Sequence, residues 1–260
     1  MPGTATFSYC SAPAGGERRA ADSGDRDSQS PTLDSINRNR RNREAPMNVG
    51  QLLEVIFTAG VVFDNLSTGR SATARFLETG DTTGVRGRGD LALLEDLKAA
   101  GEFILSHTAT PISAAYLRRI NATLTRSAAL NPGSLRTDDQ GIGVRTCYGR
   151  HEPPVASETS LDILITEALN NGNGKDAAVD LFLEIARAQP FEDGNKRAAI
   201  FAANSYLLGE GSNLLLTAPF DEQDPSVAEH FNDLLARFYV FDEKEPVREL
   251  LVRQAFVDKR

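Results

Sequence analysis

Gln189-Pro190-Phe191-Glu192-Asp193-Gly194-Asn195-Lys196-Arg197 joins two apolar helical patterns, and its reading decides the fold. On its N-terminal side Ala178, Leu181, Phe182 and Ile185 recur at helical spacing and predict a helix over Asp176–Ala188 with one buried stripe. On its C-terminal side the run Lys196–Leu208 is almost wholly apolar, and Gly209 and Gly211 stop it. A helix that is apolar on every face belongs inside a core. The stretch therefore predicts a central helix, entered through a break at Asp193-Gly194.

A helix entrance of this kind has chemistry of its own. Its first N–H groups lack partners within the helix, and the helix dipole puts positive potential there. Gly194 lets the backbone come close to a ligand, while Lys196 and Arg197 add positive charge. Together these describe an anion site suited to phosphate. The Asp193 carboxylate could hold a divalent cation beside it, since magnesium usually combines one or two carboxylates with substrate phosphate. The plainer alternative for these residues is that Asp193 caps the helix, Gly194 only turns the chain, and Lys196 and Arg197 face solvent. Phe191 reads as a core anchor for the loop.

Working outward, Leu52, Leu53, Ile56 and Phe57 predict a helix to about Ala59, and Ser71–Leu77 a second, short one. Gly80, Gly84, Gly87 and Gly89 mark a loop, after which Asp90 is the expected N-cap of a helix striped by Leu91, Leu94, Leu97, Ala100 and Ile104. Ser113–Arg126 is expected as a helix capped by Ser113. Around Gly143–Tyr148, alternation of Val144, Thr146 and Tyr148 among glycines fits a short two-stranded ribbon, closed by Pro153-Pro154. Helices are further expected from Ser157, over Pro225–Arg237 and over Pro246–Val257. The sum is an all-α domain with one small ribbon.

Residues 1–46 are rich in Gly, Ser, Pro, Asp and Arg without apolar periodicity, and are expected to be a disordered tail; Met47 directly after them is a second candidate start. With 40% apolar and 25% charged residues, the chain is ordinary for a globular protein. Its longest apolar pieces, near Ile200–Leu208 and Leu214–Leu216, fall short of a membrane span, and no secretory leader opens the chain, so a cytoplasmic location is expected. A net charge of -8 argues against nucleic acid as the main partner, with Arg38, Arg40, Arg41 and Arg43 as a local exception that reads as solvated linker. Cys10 and Cys147 make no disulfide framework, and three histidines are too few for a cysteine/histidine metal cluster.

With its surroundings, the 189–197 stretch resembles the active-site signature of the Fic/Doc (Fido) family, in the form ending Asn-Lys-Arg. Every residue agrees except the first, where the family has histidine. The likeness covers roughly residues 50–245 and is strongest from Pro132 to Leu208. Pro132-Gly133, Arg136, the ribbon at Gly143–Tyr148 and Pro153-Pro154 are similar to the family's flap, which clamps a target segment beside the active site. The resemblance implies a Fic-like helical domain over 47–260, with a motif-bearing central helix and a β-hairpin flap. It implies transfer of AMP or, in the Doc-like branch, of phosphate from ATP or another nucleoside triphosphate to a protein hydroxyl, with Mg2+. On that pattern the residue at 189 takes the hydroxyl proton, Asp193 binds magnesium, Gly194, Asn195 and Lys196 line the phosphate nest, and Arg197 neutralises phosphate charge. The target would be held at residues 143–148.

The departures are informative. Gln189 is an uncharged amide, which orients a hydroxyl but cannot take its proton. His151 in the flap is a further candidate base. Lys196 stands where the AMP-transferring branch has glycine, and Ile200 where it has a second arginine. Phe76-Leu77-Glu78-Thr79-Gly80 looks like a degraded copy of the family's inhibitory helix, whose glutamate would need that second arginine. The expectation is a transferase with impaired or altered catalysis, or alternatively an inactive Fic-fold module that binds nucleotide or protein.

Overall fold

The structure, a computed structural model, describes residues 47–127, 130–141 and 143–259. The expected disordered tail lies outside the described residues. A 3-10 turn at Val49–Leu52 leads into α1 (Leu53–Asp64), followed by α2 (Arg70–Thr79), α3 (Gly87–Ser106) and α4 (Ala114–Asn121). A hairpin of β1 (Val144–Thr146) and β2 (Gly149–His151) precedes α5 (Glu158–Asn170), α6 (Lys175–Ala188) and α7 (Asn195–Gly209). Then come β3 (Leu214–Leu216), α8 (Ser226–Phe241), α9 (Lys244–Gln254) and β4 (Phe256–Asp258). The fold is the expected all-α one with the small hairpin, to which β3 and β4 add a second two-stranded antiparallel sheet.

α7 is the central helix, in contact with α1, α3, α4, α6 and β3. Ala198, Ala199, Ala202 and Ala203 are all fully buried, and such small side chains let neighbouring helices approach closely. α6, its main neighbour, buries Ala177, Val179 and Leu183 besides the predicted stripe, so it too is enclosed on more than one face.

Some boundaries differ from the periodic pattern, each for a tertiary reason. α4 stops at Asn121 instead of Arg126, because the buried Asp96 carboxylate draws in the backbone N–H groups of Thr125, Arg126 and Ser127. Ser113 caps this helix as expected, accepting from the Tyr116 N–H at 3.2 Å. Asp90 is not an N-cap. α3 starts at Gly87, and Asp90 in its first turn accepts from the Ser67 N–H and the Thr68 hydroxyl, fastening the preceding loop. The last predicted helix ends at Gln254, after which Phe256–Asp258 pairs antiparallel with Leu214–Leu216, Leu215 opposite Val257. Asn204 of α7, fully buried, seats that second sheet: its amide accepts from the Leu216 N–H and donates to the Leu216 carbonyl, both at 2.8 Å.

Candidate functional site

The 189–197 loop is held from several directions. Arg136, only 5% exposed, donates from Nε to the Gln189 carbonyl at 2.6 Å and from Nη2 to the carbonyls of Pro153 and Pro154. Its backbone N–H donates to the Pro190 carbonyl, and Leu135 bridges Phe191 in an antiparallel step. Arg136 and the double proline, read from the sequence as parts of the flap, are thus joined to the motif in one structural joint. Phe191 is buried at the loop's core, the anchor expected of it.

Gln189 sits at the end of α6 with φ at 46°, a left-handed conformation uncommon for glutamine. Its amide is engaged at both ends. Nε2 donates to the Ala186 carbonyl at 2.5 Å, and Oε1 accepts from Asn195 Nδ2 at 3.0 Å. Asn195 Oδ1 in turn accepts from the Phe191 N–H at 2.8 Å. A backbone donor at one end and a backbone acceptor at the other set the direction of the whole chain of amides. The Asn195 side chain therefore braces the loop.

Gly194 also differs from its first reading. At φ +75°, a Cβ there would meet Leu124 Cδ1 at 2.5 Å and Asn121 Nδ2 at 3.0 Å. The close approach that demands glycine is thus with the protein's own α4 region, which bonds this turn through Asn121 Nδ2 to the Asp193 carbonyl.

From this turn α7 sets out, and the N–H groups of Asn195, Lys196 and Arg197 have no carbonyl within the helix to meet. Asn195, Lys196 and Arg197 line a cavity of about 290 Å³ together with Gln189, Asp193, Asp64 and Tyr239. Arg197, 2% exposed, is clamped: Nη1 donates to Ser127 Oγ at 2.8 Å, Nη2 to Asp193 Oδ2 at 3.1 Å, and Nε lies 3.4 Å from Asp64 Oδ2. Lys196 places its ammonium 5.0 Å from the centre of the Phe63 ring, and burial pushes its pKa down. Asp193 turns one oxygen to Gly194 N–H and the other to Arg197, with half of the side chain exposed. One such carboxylate fits magnesium only as a partner to ligand phosphate, and no group of three or more His, Cys, Asp or Glu among the described residues could hold a metal.

Sequence reasoning missed Asp64 and Tyr239. Among the described residues, the buried side-chain polar atoms without a hydrogen bond are Asp64 Oδ2 and the Tyr239 hydroxyl, and both residues line this cavity. Burial raises the Asp64 carboxyl pKa against the pull of Arg197 and Lys196. Burial also raises the Tyr239 phenol pKa, the nearby Gln189 amide opposing it without a well-formed hydrogen bond. Buried unpaired polar groups are rare and concentrate where a ligand or catalysis gives them a partner.

Val144, Lys196 and Tyr239 also line a second cavity of about 460 Å³ between the flap and α8. The flap is pinned across it: the Tyr148 hydroxyl donates to Asp233 at 2.5 Å and its ring meets Phe241 edge-on at 5.4 Å. His151 lines neither cavity. Its ring stacks on Tyr239 at 5.1 Å and its Nε2 bonds the Arg187 carbonyl at 2.7 Å, so it fastens the root of the flap. Glu78 is exposed on α2 and Ile200 is buried in α7; neither lines the two cavities.

Residues 111–207 match the model of the Fic/DOC family, a span running from ahead of α4 through most of α7. No curated protein matches the chain. In fold it is similar to a Fic domain containing signaling protein from Bacteroides thetaiotaomicron VPI-5482, with TM-score 0.58 and 18% identity over 87% of each chain. It is similar also to Fic-1 from C. elegans, with TM-score 0.58 and 15% identity, over 84% of this chain and 66% of that one. At these identities the likeness is one of fold.

Proposed function

We propose that this chain, whose residues 111–207 match the model of the Fic/DOC family, binds the phosphates of a nucleoside triphosphate at the start of α7 and is an impaired transferase toward a protein hydroxyl. The observation that carries this reading is a convergence. The first turn of α7, with Lys196 and Arg197 in it, lines one cavity that continues under a flap. The backbone of 195–197 and Lys196 bind phosphate oxygens, and Arg197 is held rigidly enough by Ser127 and Asp193 to add charge without reorganising. Asp193 would hold magnesium against that phosphate, and the metal, when bound, supplies further neutralisation of charge. The cavity under the flap receives the rest of the donor. The outer edge of β1, paired only with β2 among the described residues, offers an extended target segment a strand to pair with.

What is weakened is the proton. Transfer of AMP or phosphate needs the target hydroxyl to lose one, and the Gln189 amide orients but cannot accept it. Losing a general base lowers a rate by about 10²–10⁴. Wild-type and Gln189→His protein, each incubated with ATP, magnesium and lysate, provide the test. Label should reach a protein target far faster with the histidine variant. Binding of nucleotide by both variants with transfer by neither would overturn the transferase half of the proposal. A silent binding module is the second reading, favoured by the Gln189 amide being already engaged by Ala186 and Asn195.

A further inference from the structure

The Tyr239 hydroxyl is a feature that packing alone does not explain. The side chain is 5% exposed, and its ring stacks on His151 at 5.1 Å with 21° between the planes. A phenylalanine would make the same stack. The hydroxyl adds only a cost, since its oxygen is buried without a hydrogen bond. Gln189 gives it no well-formed bond, because that amide already donates to the Ala186 carbonyl and accepts from Asn195. An unpaired polar group this deep in the wall of a cavity calls for a partner on the ligand.

Its chemistry and its place say which partner. Burial keeps the phenol protonated well above neutral pH, so it donates a hydrogen bond and does not replace the base missing at Gln189. Its partner is therefore an oxygen acceptor. Among the described residues, Val144, Lys196 and Tyr239 are the ones that line both cavities, and they stand where the two adjoin. Val144 brings an apolar side chain, and the Lys196 ammonium suits phosphate. The Tyr239 hydroxyl is what remains there as a neutral donor. On the α7 side of this junction lie the groups that suit phosphate. On the other side the larger cavity, walled in part by Leu235 and Ala236, has room for a base. What crosses the junction in a nucleotide is its sugar.

We propose that Tyr239 reads the sugar of the bound nucleotide: its hydroxyl donates to a ribose hydroxyl oxygen where the two cavities adjoin, and the site takes ribonucleotides in preference to deoxyribonucleotides. The inference rests on the nucleotide reading above and adds a sugar specificity to it. It also gives a role to an oxygen that the fold leaves unpaired.

The test is calorimetric titration of the full chain with ADP, the 2′-deoxy and 3′-deoxy forms of ADP, and inorganic pyrophosphate. Wild type should bind ADP about tenfold tighter than at least one deoxy form, the effect of one hydrogen bond whose loss leaves a buried donor unpaired. Tyr239→Phe should bind all three nucleotides alike, at the level of the weaker deoxy form, and should bind pyrophosphate as wild type does. Equal binding of ADP and both deoxy forms by wild type would overturn the sugar role and leave the anion site standing; this arm needs no variant and so does not depend on how Tyr239→Phe folds. A preference that survives in Tyr239→Phe would overturn it too, as would a variant that loses pyrophosphate as much as ADP. If wild type binds neither ADP nor pyrophosphate, the anion site is wrong and the inference falls with it.

Discussion

Gly194 shows how much one residue settles. Its left-handed φ and the 2.5 Å gap to Leu124 Cδ1 leave no room for a methyl group, so Gly194→Ala should cost about 3 kcal/mol in chemical denaturation. The loss should come with displacement of the Asp193 carbonyl from Asn121, visible as altered amide exchange at the start of α7. The residues of this turn were legible in the sequence because they are neighbours in the chain and a helix entrance is a local event. Asp64 and Tyr239 were not, since they arrive from α1 and α8 and carry no motif. Only packing shows that they share a cavity with Gln189. Asn195 was legible as a member of the site but not in its role. An amide reads alike whether it faces a ligand or its own backbone, and here it braces Phe191.

At the scale of elements, periodicity located the helices and missed what long-range pairing decides. The central position of α7 followed from its lack of a polar face, and the flap from alternation among glycines. The β3–β4 pairing could not be seen in either segment alone. Leu214–Leu216 is too short to announce a strand, and Phe256–Asp258 reads as the end of an amphipathic helix. What makes the strands is Asn204, which meets both polar groups of Leu216 from inside the core. Asn204→Leu would leave that N–H and C=O unpaired in a buried setting, at about 2–4 kcal/mol. Hydrogen exchange should then rise in residues 214–216 and 256–258 well before it rises in α6 or α7. Uniform loss of protection would show instead that Asn204 supports the core as a whole.

The molecule as a whole carries a pH signature in Tyr239. Its phenol pKa is raised by burial, so the folded state keeps a proton that the unfolded chain releases near the ordinary tyrosine value. This contribution to stability is complete below about pH 10 and is lost as pH rises further, because ionisation then favours the unfolded chain. Tyr239→Phe removes an unpaired hydroxyl and should flatten that alkaline fall, measured as stability against denaturant between about pH 9 and 11. An unchanged slope would place the titrating group elsewhere.

The antiparallel pairing of β3 with β4 has a practical consequence. It closes a ring of chain, since the strand just after α7 is fastened to the strand just after α9, with α8 enclosed between them. α8 supplies Tyr239 to both cavities and anchors the flap through Asp233 over the second. The final residues thus act as a buckle on the wall of the pocket. Trimming back to Gln254, or pulling on an affinity handle attached beyond Asp258, would loosen a surface far from the cut.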